Sequence, residues 1–167
     1  MFNISINKMN PAGPEIIASH PSQFFTENDL KTIALKSIPL NAKDGEFSTF
    51  LFKEELVIAS YIFTIQEQEG KRPDLFSICG AISSDELNPH HFKKIFESII
   101  QQLKEFRELN SKTLVALISR IYSTLNDGKT EIKITKTTTL KIEISKDNLK
   151  KIKNSHTKRI NGTKSMW

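Results

Sequence analysis

Alternation of apolar and polar residues predicts five β-strands in this chain. In the first strand, Phe2, Ile4 and Ile6 alternate with asparagine and serine, the pattern of a half-buried strand. The fourth and fifth strands are rich in β-branched and aromatic residues on both faces, which indicates a sheet that is covered on both sides. The predicted strands span residues 2–7, 15–19, 47–52, 56–65 and 75–82.

Apolar residues at helical spacing predict three helices. Thr26 is placed to cap the first helix, whose apolar face repeats every three or four residues until Pro39. The pair Asn88-Pro89 begins the second helix, which is the clearest amphipathic segment of the chain. The third helix starts near Ser111 and ends at residues 126–128, where a glycine suits a left-handed C-cap.

The C-terminal part of the chain differs in charge. Residues 129–167 carry eleven Lys and Arg against three acidic residues, whereas residues 1–128 carry thirteen against sixteen. We predict a domain over 1–128 and a basic extension over 129–167, with an edge strand or a hairpin at 131–145 and then a disordered tail. Clustered lysines attract anionic surfaces, and the candidate contacts are Lys150, Lys151, Lys153, Lys158 and Arg159.

Composition and motifs favour a protein without catalytic activity. The six glycines form no phosphate-binding loop, and the adjacent His90 and His91 have no further ligand at metal-binding spacing. Cys79 lies in an apolar strand, where a cysteine is usually a small core residue. We therefore predict no cofactor and no metal. The N-terminal segment lacks the features of a signal peptide, which favours a cytoplasmic protein. Such a protein can associate peripherally with an anionic membrane.

The order of the predicted elements is β-β-α-β-β-β-α-α. It predicts an α+β fold in which a five-stranded antiparallel sheet lies between one helix and two. The first strand then pairs with the fifth, and strands two and three form the edges. This order resembles the longin domain, a profilin-like fold. Local sequences also resemble longin-type proteins of archaea that have eukaryote-like small GTPases, notably Gly13-Pro14-Glu15-Ile16-Ile17, Ile38-Pro39, Asp44-Gly45-Glu46-Phe47, Ile58-Ala59-Ser60-Tyr61-Ile62-Phe63 and Arg72-Pro73-Asp74.

The resemblance implies a role in protein association. Longin domains pair with another longin or roadblock domain and present a platform to a small GTPase, so a homo- or heterodimer is expected. Edge strands expose unpaired backbone groups, and the third strand is the candidate seam. Its aromatic residues either line the sheet core or contribute to that seam. The candidate interface residues are Phe47, Thr49, Phe50, Leu51 and Phe52 on this strand, with Phe24, Phe25 and Leu40 flanking the first helix.

Two other functions stay open from the sequence. The basic extension would serve as a nucleic-acid-binding arm if the domain were a dimerisation scaffold. Only Trp167 offers an aromatic ring for base stacking in that segment, which weakens this alternative. A small-molecule sensor would instead need a cavity beneath the helices, and Phe63, Cys79 and Phe96 are its candidate lining.

Overall fold

The computed structural model describes residues 1–84 and 88–142, and all eight predicted elements occur within them. The fold is α+β, with five strands and three helices followed by a short hairpin. The strands are β1 (Asn3–Asn10), β2 (Gly13–His20), β3 (Phe47–Lys53), β4 (Leu56–Ile65), β5 (Asp74–Ser83), β6 (Glu131–Lys133) and β7 (Thr139–Lys141). The helices are α1 (Glu27–Ser37), α2 (His90–Glu105) and α3 (Ser111–Asp127).

The large sheet has the strand order β2-β1-β5-β4-β3, and every neighbouring pair is antiparallel. The predicted pairing of the first strand with the fifth is confirmed. The sheet edges are β2 and β3, as expected. The chain crosses the sheet through α1, which connects one edge strand to the other.

The two faces of the sheet are covered differently. On one face, α2 and α3 bury a large apolar cluster that includes Ile4, Phe63 and Phe96. On the other face, α1 covers a smaller cluster around Ile33 and Ile58. Neighbouring residues of a strand point to opposite faces, so the two-sided apolar pattern of β4 and β5 follows from this double cover. Gly80 marks a close approach, because an added Cβ would lie 3.2 Å from Cζ of Phe96.

The prediction that β1 is half-buried is wrong. Asn3, Ser5 and Asn7, the polar side chains of its second face, are all buried. They lie on the face of the sheet opposite Ile4 and Ile6, where α1 packs. Hydrogen bonds compensate part of this burial, since the side-chain amide of Asn7 donates to Oγ of Ser77 at 2.9 Å.

The ends of α1 and α3 include two caps that the sequence indicates, Thr26 and Gly128. Thr26 and Asp29 form a reciprocal capping box at the start of α1. Asn110 caps α3 by accepting a hydrogen bond from the amide of Thr113 at 2.9 Å. The C-cap of α3 is Gly128, whose φ of 65° is the left-handed conformation that glycine adopts without strain.

Strands β6 and β7 make the described part of the segment after α3 a hairpin, one of the two arrangements predicted for residues 131–145; residues 143–145 and the predicted disordered tail lie outside the described residues. Strands β6 and β7 pair in antiparallel fashion, and the amide of Ile134 donates to the carbonyl of Thr138 across the turn. Ile132, Leu140 and Ile142 are buried in the same apolar cluster as α2 and α3. The core of residues 1–128 therefore continues to residue 142. None of the described helices is long and apolar enough to cross a membrane.

Candidate interaction surface

The edge strand β3 divides its side chains between the two faces of the sheet. Phe50 and Phe52 are half-buried against the cluster beneath α1. Phe47 packs on the opposite cluster, with its ring centroid 5.7 Å from that of His90. Thr49 and Leu51 are exposed, and 62% of Leu51 is accessible to solvent. The three phenylalanines thus contribute to the core, and Thr49 and Leu51 form the free part of the strand.

The backbone of β3 offers unpaired hydrogen-bonding groups along its outer side. The amide of Ile62 in β4 donates to the carbonyl of Glu46, the residue just before β3, at 2.8 Å. The backbone groups of Glu46 therefore face β4. This orientation alternates along an antiparallel strand, so Ser48 and Phe50 also face β4. The amides and carbonyls of Phe47, Thr49 and Leu51 therefore point outward. In the part of the chain that the structure describes, β3 has β4 as its single sheet neighbour.

An aromatic cluster joins the loop before α1 to this edge strand. Phe25 is buried and meets Phe52 edge to face, with ring centroids 5.5 Å apart. Phe24 is partly exposed, packs edge to face on Phe25 and stacks on Phe2 at 5.7 Å. The structure therefore brings Phe24 and Phe25 together with β3, although they are more than twenty residues apart in sequence.

An ion pair ties α1 itself to the same edge strand. Nζ of Lys53 lies 3.0 Å from Oδ2 of Asp29, and it also lies over the ring of Phe52 at 5.3 Å. The hydrogen bond from Lys53, helped by those from Thr26, holds the pKa of the Asp29 carboxyl below its usual range. Sequence patterns indicated the cap at Thr26 and missed the link between Asp29 and Lys53, because these two residues lie on separate elements.

Leu40 does not join this surface. It follows α1 at the other end of the helix from Phe24, and 91% of it is exposed. Its neighbour Asn41 has a φ of 68°, which is uncommon for a residue other than glycine. Leu40 lines a separate groove with Lys43 and Arg72. The predicted interface is therefore two surfaces at opposite ends of α1.

The proposed lining of a sensor cavity is wrong. Phe63 and Phe96 are fully buried in the cluster beneath α2 and α3. Cys79 belongs to the cluster on the other face of the sheet, where its Sγ accepts from the amide of Asn7 at 3.1 Å and donates to Ser37 at 3.0 Å. The sheet separates Cys79 from both rings, so the three residues share no cavity.

The basic contacts predicted at Lys150, Lys151, Lys153, Lys158 and Arg159 lie outside the described residues. Within residues 1–84 and 88–142, no group of three His, Cys, Asp or Glu side chains is placed to hold a metal ion. The chain matches no known family model, and no curated protein is significantly similar to it in sequence. The argument for function therefore depends on the surface itself.

Proposed function

We propose that this chain is a non-enzymatic, longin-like interaction protein that pairs through β3 and presents the joined sheet to a small GTPase or a trafficking-like complex. The outward-facing backbone of Phe47, Thr49 and Leu51 is the observation that carries the proposal. A strand added to such an edge gains main-chain hydrogen bonds, and side chains at alternate positions give it specificity. The order of elements and the local sequences supply the likeness to longin domains.

The partner that fits this edge best is a second copy of β3. In an antiparallel pair with Thr49 on the two-fold axis, Phe47 lies opposite Leu51 of the second copy, and the outward backbone groups face one another. The two threonines meet at the centre, a favourable cross-strand pair. The edge is therefore complementary to itself in hydrogen bonding and apolar contact.

Light scattering over a range of concentrations tests the pairing. One short strand buries less surface than a stable dimer interface, so we expect association that depends on concentration. Leu51→Lys should shift the protein to monomer, because charge on an edge strand opposes pairing. Leu35→Lys is the matched control, since Leu35 on α1 is 61% exposed and Leu51 is 62% exposed. A monomer at every concentration, or equal effects of both variants, would contradict pairing through β3.

Cross-linking tests the register. Cys79 is the single cysteine and is buried, so Thr49→Cys introduces one accessible thiol. A short bifunctional thiol reagent should join two copies at Thr49→Cys, because facing residues of an antiparallel pair have Cα atoms about 5.5 Å apart. Leu35→Cys should give no cross-linked dimer above background. Cross-linking at Leu35→Cys alone would place the interface on α1.

The platform role needs a separate measurement. Ras-superfamily GTPases loaded with GDP or with a non-hydrolysable GTP analogue are tested for binding to the full chain and to the Leu51→Lys variant. We expect binding that depends on the bound nucleotide and weakens in the variant. Dimerisation without binding to any GTPase would support pairing and contradict the platform role.

A further inference from the structure

An open surface cavity of about 370 Å³, lined mainly by polar residues, lies between α3, β6 and the end of β2. It is beside the sheet edge opposite β3, so it is separate from the pairing surface. Residues three and four apart share one face of a helix, and α3 turns a continuous polar stripe toward the cavity. The stripe consists of Ser119, Arg120, Ser123, Thr124 and Asp127.

Three contacts hold the walls of this cavity. Nη1 of Arg120 donates to the carbonyl of Lys133 at 3.0 Å, which links α3 to β6. Ile132 anchors β6 in the core. The ring of His20, at the end of β2, meets Tyr122 edge to face with centroids 4.9 Å apart. The polar groups of the cavity therefore belong to elements that are fixed against one another.

The cavity carries an excess of positive charge. Lys129 and Asp127 form an ion pair at 2.9 Å and neutralise each other. Arg120 and Lys133 remain, opposed by Glu131, and neither cation forms an ion pair with a described residue. Arg120 uses one N–H on the Lys133 carbonyl, which leaves the other donors of its guanidinium available.

We propose that this cavity binds a phosphate monoester group. Such a group carries a charge of about −1.5 to −2 and three strong acceptor oxygens. The planar guanidinium of Arg120 matches two of those oxygens, and Lys133 adds a point charge. The hydroxyls of Ser119 and Ser123 supply further hydrogen-bond donors. The cavity then offers more donors than the two oxygens of a carboxylate use, which favours the three oxygens of a phosphate. A lipid headgroup and a soluble phosphate share this chemistry.

Two sets of probes distinguish the sources. Inorganic phosphate and glycerol 3-phosphate are titrated into the full chain by NMR, and sedimentation measures binding to phosphatidylcholine vesicles with or without phosphatidic acid. Arg120→Gln should weaken binding about tenfold, the effect of one charge-assisted hydrogen bond. Glu131→Gln should strengthen it. Arg72→Gln removes the same charge from the exposed β4–β5 loop and should leave the affinity close to that of the unmodified chain.

Each result bears on the proposal. Binding of the soluble phosphates that depends on Arg120 supports a soluble ligand, and vesicle binding that depends on both phosphatidic acid and Arg120 supports a headgroup. Equal losses in Arg120→Gln and Arg72→Gln would show attraction to net charge alone and overturn the proposal. Absence of binding to every probe would overturn it as well. Neither result would affect pairing through β3.

Discussion

Phe25 packs edge to face against Phe52, with ring centroids 5.5 Å apart, and this contact joins the loop before α1 to the edge strand β3. The cluster beneath α1 is small, and much of the surrounding sheet face is polar. Phe25 is the single aromatic ring among the buried members of this cluster, and it fastens the start of α1 to the sheet.

Phe25→Ala should lower the free energy of unfolding by about 3 kcal/mol, the typical cost of removing a buried aromatic ring. Phe24→Ala is the matched control, because Phe24 is its neighbour and is partly exposed. We expect it to cost about 1 kcal/mol. Urea denaturation measures both values. Equal losses for the two variants would show that Phe25 has no special part in holding α1.

Glu67 should make the free energy of unfolding depend on pH in the acidic range. Hydrogen bonds from Ser111 and Lys8 hold the pKa of the Glu67 carboxyl below its ordinary value of 4.5. A lowered pKa in the folded state stabilises the fold above the unfolded pKa, and the contribution is lost as the pH falls through the folded pKa. The stability difference between the unmodified chain and Glu67→Gln should therefore be constant near neutral pH and shrink below about pH 4.5.

Denaturation at several pH values measures this difference. Glu69→Gln, in the same loop, removes the same charge, and Glu69 forms no ion pair with a described residue. Its stability difference should be small throughout. A difference for Glu67→Gln that does not change with pH would count against the ion pair with Lys8.

The hairpin after α3 should stabilise the domain. Leu140 is fully buried beside α2 and α3, so Leu140→Ala should cost about 2 to 5 kcal/mol in unfolding free energy. Lys141→Ala, at the exposed next position, should change it by less than about 0.5 kcal/mol. Thermal and urea denaturation of both variants check this. An unchanged stability for Leu140→Ala would place the end of the folded core before the hairpin.

The sequence by itself determined the helices and strands of this protein and much of their order. Thr26 and Gly128 act locally, through hydrogen bonds or backbone conformation within one turn of chain, so their roles could be predicted. The three-residue spacing of Phe47 and Phe50 also puts them on opposite faces of a strand, and the structure places them in different clusters.

Only the tertiary structure decided what covers each face. Periodicity shows which residues share a side of one element and says nothing about the element that packs there. Asn7 is buried against Ser77 and Cys79 of β5, Cys79 is separated from Phe63 by the sheet, and Arg120 meets Lys133 because the hairpin folds back on α3. These contacts join distant parts of the chain, and the shape of the assembled core sets them.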